Sequence, residues 1–173
     1  MDVTDENTFI DLKKEISNKE IYSIINCAGG TTASPQKNIL DNTDKDFISS
    51  FYLNSIGPFL LVKNVLPNMK KELNPIIINI TSILAHKILS DSAPYNISKK
   101  SLSMMSKFMR RDLAHLNIRC TEIILSSVNT KNNFGYKNKS MNTQSVSEII
   151  KFILDCDVNI DYIAASHVKE VIV

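Results

Sequence analysis

Apolar side chains recur at helical spacing across residues 7–18, at Phe9, Ile10, Leu12 and Ile16, and residues 21–26 then run β-branched and apolar into Ala28-Gly29-Gly30. That order predicts a helix, a buried strand and a tight turn. From Thr43 to Glu72 the period is helical again, with Phe47, Phe51, Leu53, Leu60, Leu61 and Val65 as core positions, and Gly57-Pro58 should kink or divide the helix. Residues 75–80 (Pro-Ile-Ile-Ile-Asn-Ile) are too few for a helix and rich in isoleucine, which predicts a strand buried on both faces. A polar loop leads to a long helical segment over Ala93 to Leu116, with Leu102, Met105, Phe108, Met109 and Leu113 along one side. Ile118 to Leu125 reads as another strand. Residues 131–144 carry Lys, Asn and Gly without periodicity and predict a mobile loop. Ser145 to Leu154 follows as a helix, with Ser145 as N-cap and Glu148 completing a capping box, and Val168 to Val173 closes the chain as a strand.

Helices alternate with strands, and the crossovers are long enough for parallel pairing. The fold class is therefore α/β with a largely parallel sheet, and no internal repeat or linker divides residues 1–173 into more than one domain. In such sheets ligands bind at the carboxyl ends of strands, which directs attention to residues 26–30, to Ser82 and its loop, and to residues 125–130.

Composition narrows the function. The 173 residues are 43% hydrophobic and 22% charged, with 20 basic against 18 acidic side chains. That near-even mixture gives no electrostatic drive toward nucleic acid. No apolar run approaches the ~20 residues of a membrane span, and the acidic first residues are unlike a secretory or mitochondrial leader, so the expected compartment is the cytoplasm. Cys27, Cys120 and Cys156 are scattered and odd in number, each in or beside an apolar stretch, and read as core thiols. His86, His115 and His167 are equally dispersed, with no metal-ligand spacing, so no metal is expected.

Chemistry concentrates around Tyr95-Asn96-Ile97-Ser98-Lys99. Residues i and i+4 share one helical face, which would bring the Lys99 ammonium near the Tyr95 phenol and favour the ionised form of a group that is otherwise a poor base at neutral pH. By itself this spacing describes any amphipathic helix. Ser82 at a strand end 13 residues earlier, Asn26-Cys27-Ala28-Gly29 at the end of another strand, and Asn54 in the helix between them change its meaning.

In these four elements, in this order, the sequence resembles the short-chain dehydrogenase/reductase family in its classical branch, from Asp2 to the C-terminus. The resemblance implies a Rossmann-like, doubly wound three-layer α/β/α fold and an oxidoreductase that transfers hydride between NAD or NADP and a small-molecule carbonyl or alcohol substrate. Tyr95 would be the general acid in reduction and the base in oxidation. Ser82 would hydrogen-bond the carbonyl oxygen, Lys99 would bind the nicotinamide ribose and lower the Tyr95 pKa, and Asn54 would hold a water that links Lys99 to solvent. By the same resemblance Asp2 and Val3 lie near adenine, Asn26, Ala28 and Gly29 pass beneath the ribose and nicotinamide, and Val128 and Thr130 meet the carboxamide and phosphates. The family also implies a homodimer or homotetramer built on the helices of residues 43–72 and 93–116.

The sequence departs from the family in two places. Leu125-Ser126 stands where Pro-Gly is usual, and none of the chain's four glycines forms the glycine-rich turn that cradles the pyrophosphate. The chain accordingly resembles the C-terminal portion of such a domain, N-terminally truncated, and the choice between NAD and NADP lies outside it. A non-catalytic interaction or oligomerisation module is the alternative expectation.

Overall fold

A computed structural model describes residues 1–31, 38–88, 93–130 and 140–168. Four strands form one sheet in the order β1 (Ser23–Asn26), β2 (Ile76–Ser82), β3 (Arg119–Leu125) and β4 (Tyr162–Ala165), all parallel. The expected α/β class and parallel sheet are thereby found. Strands β2 and β3 are buried at every position, because helices cover both faces. On one face α1 (Glu6–Ile16), α3 (Gly57–Val65) and α4 (Ala93–Leu113) pack Ile16, Val62, Val65 and Met109 onto Ile24, Ile77 and Cys120. On the other, Ile153 of α5 (Thr143–Asp155) meets Ile76, Ile78, Ile80 and Ile123. Each such fully buried side chain contributes roughly 1.5–3 kcal/mol.

Helix ends follow local chemistry. Asp5 caps α1 through Asn7 N–H, and Thr43 with Asp46 forms a capping box at the start of α2 (Asp44–Phe51). Between α2 and α3, residues Tyr52–Ile56 form one π-helical turn, closed by Gly57 N–H donating to Tyr52 O. Pro58 has no N–H to return to the Asn54 carbonyl, so the expected interruption at Gly57-Pro58 takes the form of a widened turn just before it.

Several expectations are corrected. The cap of α5 is Asn142, whose side chain accepts from Ser145 N–H at 2.7 Å, while Glu148 bonds Gln144 instead. The asparagine amide immediately before the first turn outcompetes the serine three residues later. The last strand among the described residues is 162–165, a four-residue edge whose positions alternate between exposed and half-buried; residues 169–173 of the expected final strand, like 131–139 of the expected loop, lie outside the described residues. Only Cys120 is a buried thiol: Cys27 is exposed beyond β1 and Cys156 is half-buried after α5. Burial pushes the Cys120 thiol up to about 12. No helix among the described residues is long and apolar enough to cross a membrane.

Candidate functional site

The carboxyl ends of β1 and β2 face the first turns of α4, and the π turn supplies Asn54 to the same place. A widened turn rotates Asn54 inward, where it is fully buried. Its Oδ1 accepts from Gly30 N–H and its Nδ2 donates to Gly30 O, both at 2.9 Å, and Nδ2 also reaches Ser98 Oγ at 3.1 Å. Asn54 therefore clamps the chain leaving β1 onto α4. Gly29 lies inside that clamp: a Cβ there would come within 2.8 Å of Lys99 Nζ and 2.9 Å of Asn54 Oδ1. The lysine tip can move aside, but the asparagine is held by three hydrogen bonds. Gly29→Ala is expected to cost about 1–3 kcal/mol in chemical denaturation, by displacing the clamp.

Ser82 ends β2 and is 8% exposed. Its hydroxyl accepts from Leu84 N–H at 3.2 Å, capping the short turn Ile83–Ala85. The Tyr95 phenol lies close enough for this hydroxyl to act on it, which brings together two residues 13 apart in sequence. Burial raises the Tyr95 pKa above its ordinary value of 10.0, and Ser82 opposes this as the smaller effect.

The net shift of the phenol is upward, where the resemblance to the family implies a lowering by Lys99. Lys99 Nζ donates to Ile80 O at 2.9 Å, and the residue is 4% exposed. Loss of hydration lowers the Lys99 pKa to about 8, with a smaller raising effect from Cys27. The ammonium directs one N–H to Ile80 and retains two donors beside Gly29.

The remaining predicted positions divide. Val3 is buried against Gly57, where a Cβ would meet Val3 O at 2.8 Å, so the N-terminal segment is fixed beside the π turn. Asp2 is exposed and accepts from Thr4 N–H and Oγ1 at 2.8 and 2.7 Å, which lowers its pKa. Ala28 is exposed at the end of β1. Asn26 turns its side chain into the sheet, donating to Asn79 Oδ1 at 2.7 Å, and only its backbone is left to line the site. Val128 pairs with Met141, and Thr130 is exposed beyond it. Leu125, in place of the usual proline, carries a backbone N–H, and β3 runs on to Leu125, paired with Ser82 and Ala165.

Sequence reasoning missed a buried polar layer beneath α4. Asn26, Asn79 and Glu122 stand at one level of the sheet on adjacent strands. Asn79 Nδ2 donates to Ser106 Oγ at 2.8 Å, and Ser55 Oγ donates to Ser98 O at 2.6 Å. The signal was available: Ser98, Leu102, Ser103, Ser106 and Met109 are spaced as one helical face, and its serines allow close approach to polar strand positions. A cavity of about 730 Å³ opens nearby, between Leu84 and His86 of the turn after Ser82 and Asn96, Ile97 and Lys100 of α4. Neither Ser82 nor Tyr95 lines it, so its volume does not mark the reacting position.

Comparison with known proteins bears on the same residues. The chain is 28% identical over 142 residues to carbonyl reductase family member 4 of Xenopus tropicalis, covering 81% of this chain and 59% of that protein. It thus spans about three fifths of the length of this curated relative. The fold superposes on an alcohol dehydrogenase from the archaeon Thermococcus sibiricus, complexed with 5-hydroxy-NADP, with a TM-score of 0.84 at 14% identity, over 98% of this chain and 74% of that one. It superposes equally, at 0.84 and 24% identity, on a 7α-hydroxysteroid dehydrogenase complexed with NADH and 7-oxoglycochenodeoxycholic acid, covering 98% and 73% of the two chains. The family model described as short chain dehydrogenase matches residues 1–140, which include Asn54, Ser82, Tyr95 and Lys99, and the chain belongs to that family.

Proposed function

We propose that these residues form the proton-transfer centre of a nicotinamide-dependent oxidoreductase acting on a small carbonyl or alcohol, with NAD or NADP as cofactor. The observation that carries this reading is the meeting of the Ser82 hydroxyl and the Tyr95 phenol at the end of β2, with the buried Lys99 ammonium one helical turn away. Solved structures of like fold, bound to NADH or to a modified NADP, support the cofactor class.

The residues present fit one end of such a cofactor. Lys99 has two uncommitted donors for ribose hydroxyls, and the missing Cβ of Gly29 leaves room beside them. Asp2, Val3, Ala28, the Asn26 backbone, Val128 and Thr130 would complete the contact. The pyrophosphate end has no glycine-rich turn among the four glycines of this chain. A bound nicotinamide would supply or accept the hydride. Tyr95 would give its phenolic proton to the substrate oxygen in reduction and recover it in oxidation, while Ser82 donates a hydrogen bond to that oxygen as negative charge develops. Asn54 holds the strand end and α4 at fixed separation, through the Gly30 and Ser98 bonds, and so sets the place of Lys99.

The test is oxidation of NADH or NADPH by a panel of ketones and aldehydes, followed by loss of the reduced-nicotinamide absorbance. Turnover that depends on Tyr95 supports the reading; a phenylalanine variant with wild-type turnover removes it.

Association through the outer helices belongs to the same proposal. Of the apolar residues read along one side of the helix of residues 93–116, Leu102 and Met109 are buried within the chain and Phe108 is exposed. Ile97 and Met104 on α4, Ile48 on α2 and Phe59 on α3 are exposed as well. Light scattering at micromolar concentration should report a dimer or tetramer, and Phe108→Asp should shift it to monomer. A wild-type monomer would contradict this.

A further inference from the structure

The scheme above makes no use of Glu122, a carboxylate in the middle of β3 that is 3% exposed. Burying a carboxylate away from cations is costly, and an apolar residue of similar volume would pack beneath α4 without that cost. What the carboxylate offers is directed bonding. Thr81 Oγ1 donates to its Oε1 at 2.7 Å, and Ser103 Oγ donates to its Oε2 at 3.1 Å. Among the described residues its one ion-pair candidate is His86, with Nε2 at 3.8 Å from Oε1, and the other ring nitrogen of His86 faces Lys100 Nζ at 3.5 Å.

The two donors belong to elements that must keep register for the site to work. Thr81 immediately precedes Ser82, and Ser103 lies one turn beyond Lys99 on the same buried face of α4. His86 closes the turn that Ser82 caps. Three polar tiers therefore join α4 to β2: Lys99 to Ile80 O, Ser103 through Glu122 to Thr81, and Ser106 to Asn79. Only the middle tier needs a third strand to complete it.

We propose that Glu122 is a positioning residue of the reaction site, tying the end of β2 that presents Ser82 to the helix that presents Tyr95 and Lys99. The proposal rests on the roles assigned to those three residues, and its first readout is independent of them. Lysine-labelled protein titrated by NMR reports the Lys99 midpoint, which burial holds near 8, without any cofactor. Glu122→Leu removes both acceptors and relieves the buried charge, so the protein should stay folded. Loosening of α4 should admit water to Lys99 and raise its midpoint by about half a unit or more. In turnover with an accepted carbonyl, kcat should fall about ten-fold or more, with the substrate KM held within about two-fold. Glu122→Gln can accept from one hydroxyl and donate to the other, and should restore both readouts.

A purely structural role would change the melting temperature of Glu122→Leu and leave the Lys99 titration and kcat at wild-type values, and that result overturns the proposal. Should Glu122→Leu fail to fold, Ser103→Ala and Thr81→Val each cut one link, and an unmoved Lys99 midpoint in both overturns it equally. If the midpoint moves while Tyr95→Phe keeps wild-type turnover, the tie stands and the reaction scheme falls.

Discussion

Tyr95→Phe is expected to lower turnover by ~10²-fold or more while leaving the fold and cofactor affinity intact. Phenylalanine keeps the ring and its packing in the first turn of α4; only the ionisable hydroxyl beside Ser82 is lost. Were Tyr95 an ordinary helix position, the change would stay within about 0.5 kcal/mol of stability and leave turnover untouched. The raised pKa adds a directional expectation. A phenol held above 10 is protonated throughout the neutral range, which suits donation to a carbonyl. Alcohol oxidation needs the phenolate, so its rate should climb with pH toward that raised value, whereas reduction should not. Steady-state rates in both directions across pH 6–10, with the phenylalanine variant as baseline, check this.

Lys99→Met is expected to abolish or greatly weaken cofactor binding and at the same time to make the folded protein more stable near pH 7. The ammonium is almost wholly removed from water, and its pKa falls from 10.5 to about 8. That difference corresponds to about 3 kcal/mol of destabilisation by the charged form. Loss of the bond to Ile80 O returns about 1 kcal/mol of it, leaving a net gain of about 2 kcal/mol. Between pH 8 and 10.5 the unfolded chain holds a proton on this lysine that the folded protein has released, so wild-type stability rises with pH across that window. The advantage of the methionine variant should therefore be largest below pH 8 and vanish by about pH 10.5. Melting temperatures of both proteins over that range decide it; a variant less stable than wild type at pH 7 would show that Lys99 is held by more than it costs.

The parallel sheet was legible because β2 and β3 are buried on both faces, so their sequences read as nearly unbroken runs. Ser82 and Tyr95 were legible as a pair because strand end and helix start fix their places at a set spacing. What the sequence did not show was the direction of long side chains. An i,i+4 spacing puts Tyr95 and Lys99 on one face, yet the lysine stem has four carbons, and its tip settles where Ile80 O offers an acceptor. Glu122 was read as part of an apolar strand and passed over, since its partners, Thr81 and Ser103, are 41 and 19 residues away. Asn142 escaped notice as a cap because it lies in a stretch with no periodicity to mark where α5 begins.

The π turn at Tyr52–Ile56 has a consequence for how this chain tolerates insertion and deletion. One turn with an i+5 bond holds a single residue more than regular helix needs. Removing one residue from it would let α2 and α3 merge into continuous α-helix with their flanking faces still in register, because the wide turn absorbs its extra residue locally. What would be lost is the inward placing of Asn54 against Gly30 and Ser98. A point substitution at Tyr52, exposed enough to bond Glu6 across the surface, disturbs little. A three-nucleotide deletion in the same codon would remove the site while leaving a well-formed helix, so along this stretch reading length constrains the gene more tightly than residue identity does.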